Sequence, residues 1–406
     1  MIKNNLVGNG SSVYFITGGR EMKIAMVTDT WLPTQDGVVN SIIQFRRNLE
    51  ERGHQVYIFA PGEKNKVSEK DDNVYLFKSK RFRPYPDYRM AIYPTGRTQE
   101  LLLEKDIDVI HNHGVGFMAV RAMIASKFLE LPCVFNFHTW VTDALHYSPL
   151  NLSDNILERL TWIYLKYLLR RSDTVITPSQ KTLEELKERC SNMHNSAVVT
   201  PGIDRSRYNK DVDGESIRDK WGLTDETLLL HVGRIAREKN LELIIDSLPY
   251  IKKERSDARL FIVGDGPAKS YYESLVSEKG LEDAVTFTGF VPEEELPNYY
   301  GAADTFIFAS TFETLGLVML EALATGTPVV GLDHGVIPEI IDDGNNGLLF
   351  QKNPRDCAKK TLEMLRSEKE INNDFMENIP FDNLDCGKKL EDVYEDAIRI
   401  KNKRIS

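Results

Sequence analysis

The chain has 406 residues, 41% of them hydrophobic and 28% charged, which suits a soluble globular protein long enough for two domains that each bury a core. Its net charge of -10 argues against a nucleic-acid binder, and no stretch reaches the roughly 20 apolar residues that span a bilayer. The charge is unevenly spread, +3 over residues 1–200 and -13 over the rest, so the first half is the one fitted to meet an anionic surface.

Residues 1–21 lack the apolar core of a signal peptide and are set apart as an N-terminal extension with no assigned function. Lys23–Thr28 reads as a buried strand, and Val38, Ile42, Phe45 and Leu49 repeat at helical spacing until Gly53. The loop between them, D-T-W-L-P-T-Q-D-G-V-V-N, puts Gly37 at a helix entrance. Gln55–Ala60 and Ile107–His111 are further strands alternating with helices. That order predicts a parallel α/β sheet with ligands at the carboxyl ends of its strands. His111 and His113 have no third ligand nearby and read as a strand end facing the cleft, so no metal site is expected.

The next strand, Cys133–Phe137, runs into F-H-T-W and places His138 at its carboxyl end. A helix is predicted over Asn155–Arg171, with Ile156, Leu160, Ile163, Tyr164 and Tyr167 toward the core. At about 100° per residue, Trp162, Leu165 and Leu169 then fall on the solvent side, flanked by Arg159, Lys166 and Arg170. After the strand Asp173–Thr177 the T-P-G-I-D segment marks a domain boundary near residue 200. A second alternation follows, with strands at Leu228–Val232, Arg259–Val263, Val285–Phe287, Asp304–Ala309 and Pro328–Gly331. Cys133, Cys190, Cys357 and Cys386 are widely spaced and suit reduced thiols of a cytoplasmic protein.

Between the last two strands lies S-T-F-E-T-L-G-L-V-M-L-E-A-L-A-T-G-T-P-V-V-G, which puts Glu313 at a strand-to-helix turn and Glu321 two helical turns on. The amides of Leu315, Gly316 and Leu317 start a helix without intrahelical partners, and the helix dipole adds partial positive charge, which suits a diphosphate. A carboxylate beside a phosphate is repelled by it. Glu313 is therefore matched to sugar hydroxyls and Glu321 to those of a ribose.

This string resembles the Glu, seven residues, Glu signature of retaining glycosyltransferases of family 4, over about Met22 to Phe350. The resemblance implies an α/β GT-B fold, two Rossmann-like parallel-sheet domains facing across a cleft. The acceptor domain would span 22–200 and the nucleotide-sugar domain 201–375, with a helical segment 376–406 returning to the first. It implies that Arg234 and Lys239, in V-G-R-I-A-R-E-K-N, hold the donor diphosphate, that His138 faces donor sugar and acceptor, and that Gly37, Gly264, Phe290, Val291, Thr314, Leu315, Gly316, Leu317, Val318 and Glu321 line the donor site. Asp36 stands where many relatives have a second glycine, and Pro201 where they have asparagine. Pro338 and Glu339 match too, and are expected to shape the loop behind the donor. Uridine and guanosine donors are not distinguished.

The function expected is transfer of a hexose from a nucleoside-diphosphate sugar, UDP-glucose-like, to an acceptor hydroxyl, with no metal and no cofactor. The competing readings are a nucleotide-sugar epimerase or hydrolase of the same fold and a non-catalytic sugar-nucleotide-binding protein. The segment after His138, through Trp140 to His146 and Tyr147, resembles diacylglycerol glucosyltransferases and sulfolipid synthases. With Arg159, Trp162, Lys166 and Arg170, and with the cations of the basic stretch 78–97, it points to a glycerolipid acceptor and a peripheral position on an anionic membrane.

Overall fold

Alternation of apolar side chains along the first strand sets the architecture of the N-terminal half: Ala25 and Val27 enter one buried cluster, Ile24 and Met26 the other, so the sheet is covered on both faces. The computed structural model describes residues 20–34, 36–82, 85–91, 96–138, 140, 154–367 and 383–405. Its first unit runs β1 (Lys23–Val27), α1 (Gly37–Glu51), β2 (Gln55–Gly62), β3 (Lys66–Val67), β4 (Val74–Lys78), β5 (Lys80–Phe82), β6 (Tyr85–Met90), α2 (Arg97–Glu104), β7 (Val109–Asn112), α3 (Phe117–Leu129), β8 (Cys133–Asn136), α4 (Asp154–Arg171), β9 (Thr174–Thr177), α5 (Gln180–Arg189) and β10 (Ser196–Val198). The sheet order is β10-β9-β8-β7-β1-β2-β4-β3, parallel except for β3 on β4. Much of the basic stretch 78–97 is the antiparallel β5–β6 hairpin, and Arg83 lies outside the described residues.

The second unit runs α6 (Gly214–Trp221), β11 (Leu228–Val232), α7 (Leu241–Ile251), β12 (Arg259–Val263), α8 (Lys269–Glu278), β13 (Val285–Gly289), α9 (Leu296–Ala302), β14 (Thr305–Phe308), α10 (Leu317–Ala324), β15 (Val329–Leu332), α11 (Ile337–Ile340), β16 (Gly347–Phe350) and α12 (Pro354–Arg366). Its six strands are parallel in the order β13-β12-β11-β14-β15-β16. The order reverses between the paired strands β11 and β14, so the chain leaves their carboxyl ends in opposite directions, toward β12 and toward β15, at the switch point where such sheets take ligands.

The last helix, α13 (Asn383–Ile405), lies against the first unit. Leu390, Tyr394 and Ala397 complete the cluster on the α1 face of the sheet. Its Glu391 accepts two hydrogen bonds from Arg52, at 2.7 and 2.5 Å, and lies 2.8 Å from His54.

Candidate active site

At the crevice of the second sheet, Gly233 follows β11 with φ +153° and Gly264 follows β12 with φ +132°. A Cβ on Gly264 would stand 2.0 Å from the Gly233 carbonyl oxygen, so this glycine is required by the closeness of the two strand ends. Beyond Gly233 the chain makes one 3-10 turn, Arg237–Lys239, which is tied to the next strand exit because Thr311 N and Ser310 Oγ donate to the Glu238 carbonyl. Lys239 is thereby brought to Glu313: its Nζ lies 2.5 Å from Oε1. Phe290, after β13, is 66% exposed on the surface, while Val291 packs on the core.

Helix α10 begins on Gly316, whose φ of +89° favours glycine and whose Cβ would meet Met319 Cε at 2.6 Å. No side chain caps it. Leu315 is buried, and Leu317 and Val318 pack against the core, so what this segment offers a ligand is its backbone amides. Two N-domain helices that follow strands, α1 and α3, differ in this respect. Asp36 caps α1 by accepting from Val38 N and Val39 N, both at 2.9 Å, and Asp29 reaches the start of α3, accepting from Gly116 N at 2.6 Å and Met118 N at 2.9 Å. Each fills its own helix terminus with a negative charge. Gly37 stands at the start of α1, exposed, with open space where a Cβ would be. Burial raises the Asp36 carboxyl, against its hydrogen bonds and the charge of Arg234, which acts on it from the other domain.

Thr314 joins the two halves of the site. Its hydroxyl donates to the His138 carbonyl at 2.7 Å, and its own carbonyl accepts from Thr182 Oγ1 at 3.1 Å. Glu339 meets the N-domain directly, accepting from Gln180 N at 3.1 Å and from Lys181 N at the start of α5, so it clasps the domains together where the sequence had it shaping a loop. His138 is only partly exposed; burial lowers its pKa to about 3 and keeps the ring neutral. Its Nε2 lies 2.8 Å from His113 Nδ1 and 3.0 Å from Asn136 Nδ2.

Glu321, down α10, accepts from Tyr300 Oη at 2.7 Å with Tyr208 beside it, and burial pushes its carboxyl up to about 7. Sequence reasoning missed Tyr300, Asp29 and Thr182. Tyr300 lies 21 residues from its partner and nothing local marks it; Asp29 was visible in the D-T-W-L-P loop, but the helix it caps begins almost 90 residues later.

The residues expected at the acceptor side are distributed otherwise than their periodicity implied. Leu165 and Leu169 are buried, whereas Ile156, Leu160, Ile163 and Tyr167 are each half or more exposed, so the core and solvent faces of α4 are the reverse of the expected ones. Both faces carry apolar residues at helical spacing, and the one with Leu157, Leu165, Leu168 and Leu169 is buried, Leu168 and Leu169 in one cluster with Phe135 of β8 and Val175 of β9. Trp162 packs with Trp140, ring centroids 6.3 Å apart, and the guanidinium of Arg189 lies over both rings. Of the residues expected toward the core, Tyr164 is turned inward, donating to the Val115 carbonyl at 2.6 Å. Arg159 and Arg170 are exposed and Lys166 half-buried. His146 and Tyr147 lie outside the described residues. Among the described residues no group of three or more His, Cys, Asp or Glu side chains is arranged to hold a metal ion, and no helix is long and apolar enough to cross a membrane.

Two family models match the chain in tandem: "Glycosyltransferase Family 4" over residues 35–207 and "Glycosyl transferases group 1" over residues 213–380. The chain is 30% identical over 394 residues to an alpha-monoglucosyldiacylglycerol synthase of Streptococcus pneumoniae, covering 94% of this chain and 87% of that protein. A second alpha-monoglucosyldiacylglycerol synthase, of Acholeplasma laidlawii, is 27% identical over 95% of this chain and all of its own length. The crystal structure of Anabaena HepE in complex with UDP superposes with a TM-score of 0.73 at 20% identity, over 92% of this chain and all of that one.

Proposed function

The chain belongs to glycosyltransferase family 4 and has the two-domain GT-B fold, and on that premise we propose that it is a retaining hexosyltransferase, moving a sugar from a nucleoside-diphosphate donor to a hydroxyl of a membrane glycerolipid. The observation that carries the donor half is the open N-terminus of α10. Its first amides have no side-chain cap, and Lys239 lies beside it, paired with Glu313. Breaking the anomeric C–O bond moves negative charge onto the departing diphosphate. Amides, Lys239 and Arg234 aimed at that charge stabilise the transition state more than the ground state, and no metal is needed for it. The leaving phosphate helps take the acceptor proton on the same face of the sugar, so Glu313 orients the sugar and does not attack it.

UDP in the HepE complex and the glucosyl lipid in the names of the two synthases support glucose, uridine and a diacylglycerol acceptor. A cationic, partly apolar surface on the N-terminal domain supports a peripheral position on the membrane that holds such a lipid. The test is to supply UDP-glucose with diacylglycerol in vesicles and to read the anomeric proton of the product. The expected product is an α-glucosyl lipid formed only with both substrates. UDP-glucose consumed or epimerised equally well without lipid would replace this reading by a hydrolase or epimerase.

A further inference from the structure

We propose that His113 is a positioning residue that holds His138 as the neutral Nδ1–H tautomer, so that His138 meets the substrate as a hydrogen-bond donor and takes no proton from the acceptor. The inference rests on His138 facing the substrate, as in the function proposed above, and adds which proton it carries there.

Asn136 ends β8, two residues before His138. As oriented, its Nδ2 lies 3.0 Å from His138 Nε2, and an amide nitrogen only donates. His138 Nε2 is therefore a bare lone pair, and the ring proton of a neutral imidazole sits on Nδ1. His113 Nδ1 lies 2.8 Å from the same Nε2. Two lone pairs do not face each other at that distance, so His113 carries its own proton on Nδ1 and donates it. Two donors converge on one acceptor, and a proton on His138 Nε2 would break both contacts. Among the described residues nothing hydrogen-bonds His138 Nδ1, and on this proposal it is the nitrogen offered to the substrate.

The ring that enforces this is itself immobilised. His113 is 4% exposed, its ring meets that of His138 edge to edge with centroids 5.1 Å apart, and the rings of His111 and Phe45 lie 3.9 and 6.0 Å from it. His111 is fixed in turn from α13, since Tyr394 Oη lies 2.7 Å from its Nδ1. Burial holds His113 well below the ordinary imidazole range, so it donates as a neutral ring. The two histidines whose spacing raises the thought of a metal site are thus the support of a third. A hydroxyl oxygen of sugar or acceptor, placed at Nδ1–H, finds a donor that needs no reorganisation, consistent with the acceptor proton leaving on the phosphate.

The decisive experiment is nitrogen NMR on protein labelled at its 8 histidines, with His138 assigned by the signals lost in His138→Gln. The wild type should show His138 wholly as the Nδ1–H tautomer. His113→Leu should give a tautomer mixture and lower kcat about tenfold, with the KM for donor changed less than about twofold. His113→Asn, whose amide nitrogen falls near the Nδ1 position, should restore both the tautomer and most of kcat. A wild-type His138 protonated on Nε2 overturns the proposal even if no variant folds, as does a folded His113→Leu with an unchanged tautomer and kcat. Because the tautomer is read without substrate, failure to find any glycosyl donor would count against the function proposed above and leave this result intact.

Discussion

Lys239 Nζ and Glu313 Oε1 lie 2.5 Å apart, so the cation expected on the diphosphate and the carboxylate expected on the sugar meet each other first. Both side chains are largely withdrawn from water, with 21% and 15% exposed. Each therefore depends on the other for its charge balance. Removing one leaves its partner uncompensated, a penalty that removing both does not incur. Lys239→Ala and Glu313→Gln should each lower kcat/KM about tenfold or more, whereas the double variant should lose clearly less than the product of the two. Four kcat/KM values measured with one donor check this. Strictly multiplicative losses would mean that the pair does not act as a unit.

The strand ends and the Glu313–Glu321 segment were legible because strands buried on both faces give short apolar runs, and because a glycine-started helix after such a run has few alternatives. Leu228–Val232 and Arg259–Val263 coincide with the observed strands to the residue. The faces of α4 were not legible. Its sequence has two apolar stripes, and which of them is buried depends on what the rest of the fold packs against the helix, not on anything local to it. Nor was the support of His138: it rests on His113, 25 residues earlier, and on Tyr394, more than 250 residues later, brought together by sheet order and by the return of α13.

Glu321 gives a pH dependence with a definite sign. Its folded carboxyl is raised to about 7 by burial from an ordinary value of 4.5. The associated stability is fully present below pH 4.5 and lost as pH rises through about 7. Ribose hydroxyls that donate to the carboxylate favour its charged form and release a proton on binding. Nucleoside-diphosphate affinity should therefore strengthen from pH 6 to pH 8, with proton release visible by calorimetry in two buffers, and Glu321→Gln should flatten the rise. A variant with the same slope as the wild type would take Glu321 out of nucleotide binding.

The return of α13 predicts a stability effect. Burial works to raise the Glu391 carboxyl, but hydrogen bonds from Arg52 and His54 outweigh it and the net shift is downward. The contribution is present above the unfolded value of 4.5 and lost as pH falls through the lowered one. Glu391→Ala leaves Arg52 and His54 uncompensated. Discounted for the partial exposure of Arg52, this should cost about 2 kcal/mol and lower Tm by roughly 4–8 °C at pH 7.5. Calorimetric scans should show the gap to wild type narrowing toward pH 4, and a gap independent of pH would assign the loss to packing.

Chelation is the test of the electrostatic account. If Arg234, Lys239 and the first amides of α10 bind the leaving diphosphate as proposed, turnover should be unchanged in excess EDTA. Loss of activity, restored by Mg²⁺ or Mn²⁺, would show that the charge on the leaving group is neutralised by a cation from solution.

The last prediction concerns the surface proposed to meet the membrane, and the reversal of α4 changes which residues would carry it. Ile156, Leu160, Ile163 and Tyr167 form its exposed stripe, with Arg159, Lys166 and Arg170 beside them. Helix α3, which shares a buried cluster with α4, exposes Phe117, Ile124 and Phe128, the last at 74%. Helix α3 starts just after the carboxyl end of β7, and Tyr164 ties the middle of α4 to that start, so Phe117 stands at the cleft end of α3 and Phe128 at its far end. A second copy of the chain is a poor occupant, because a two-fold contact would set these cations against themselves. An anionic bilayer buries the apolar residues and attracts the cations, each worth about 1 kcal/mol near such a surface. Wild type should therefore sediment with vesicles rich in anionic lipid, less with neutral ones, and less as salt is raised. Ile163→Glu with Phe128→Glu should abolish sedimentation while leaving Tm and the transfer of glucose to a detergent-dispersed acceptor near wild type, because both positions are exposed. Trp162→Ser should instead lower Tm, since Trp162 packs on Trp140 beneath Arg189. Sedimentation undiminished by the two glutamates would move the membrane contact to another face, and a folded wild type that ignores anionic vesicles at low salt would remove the membrane from the proposal while leaving the transferase in place.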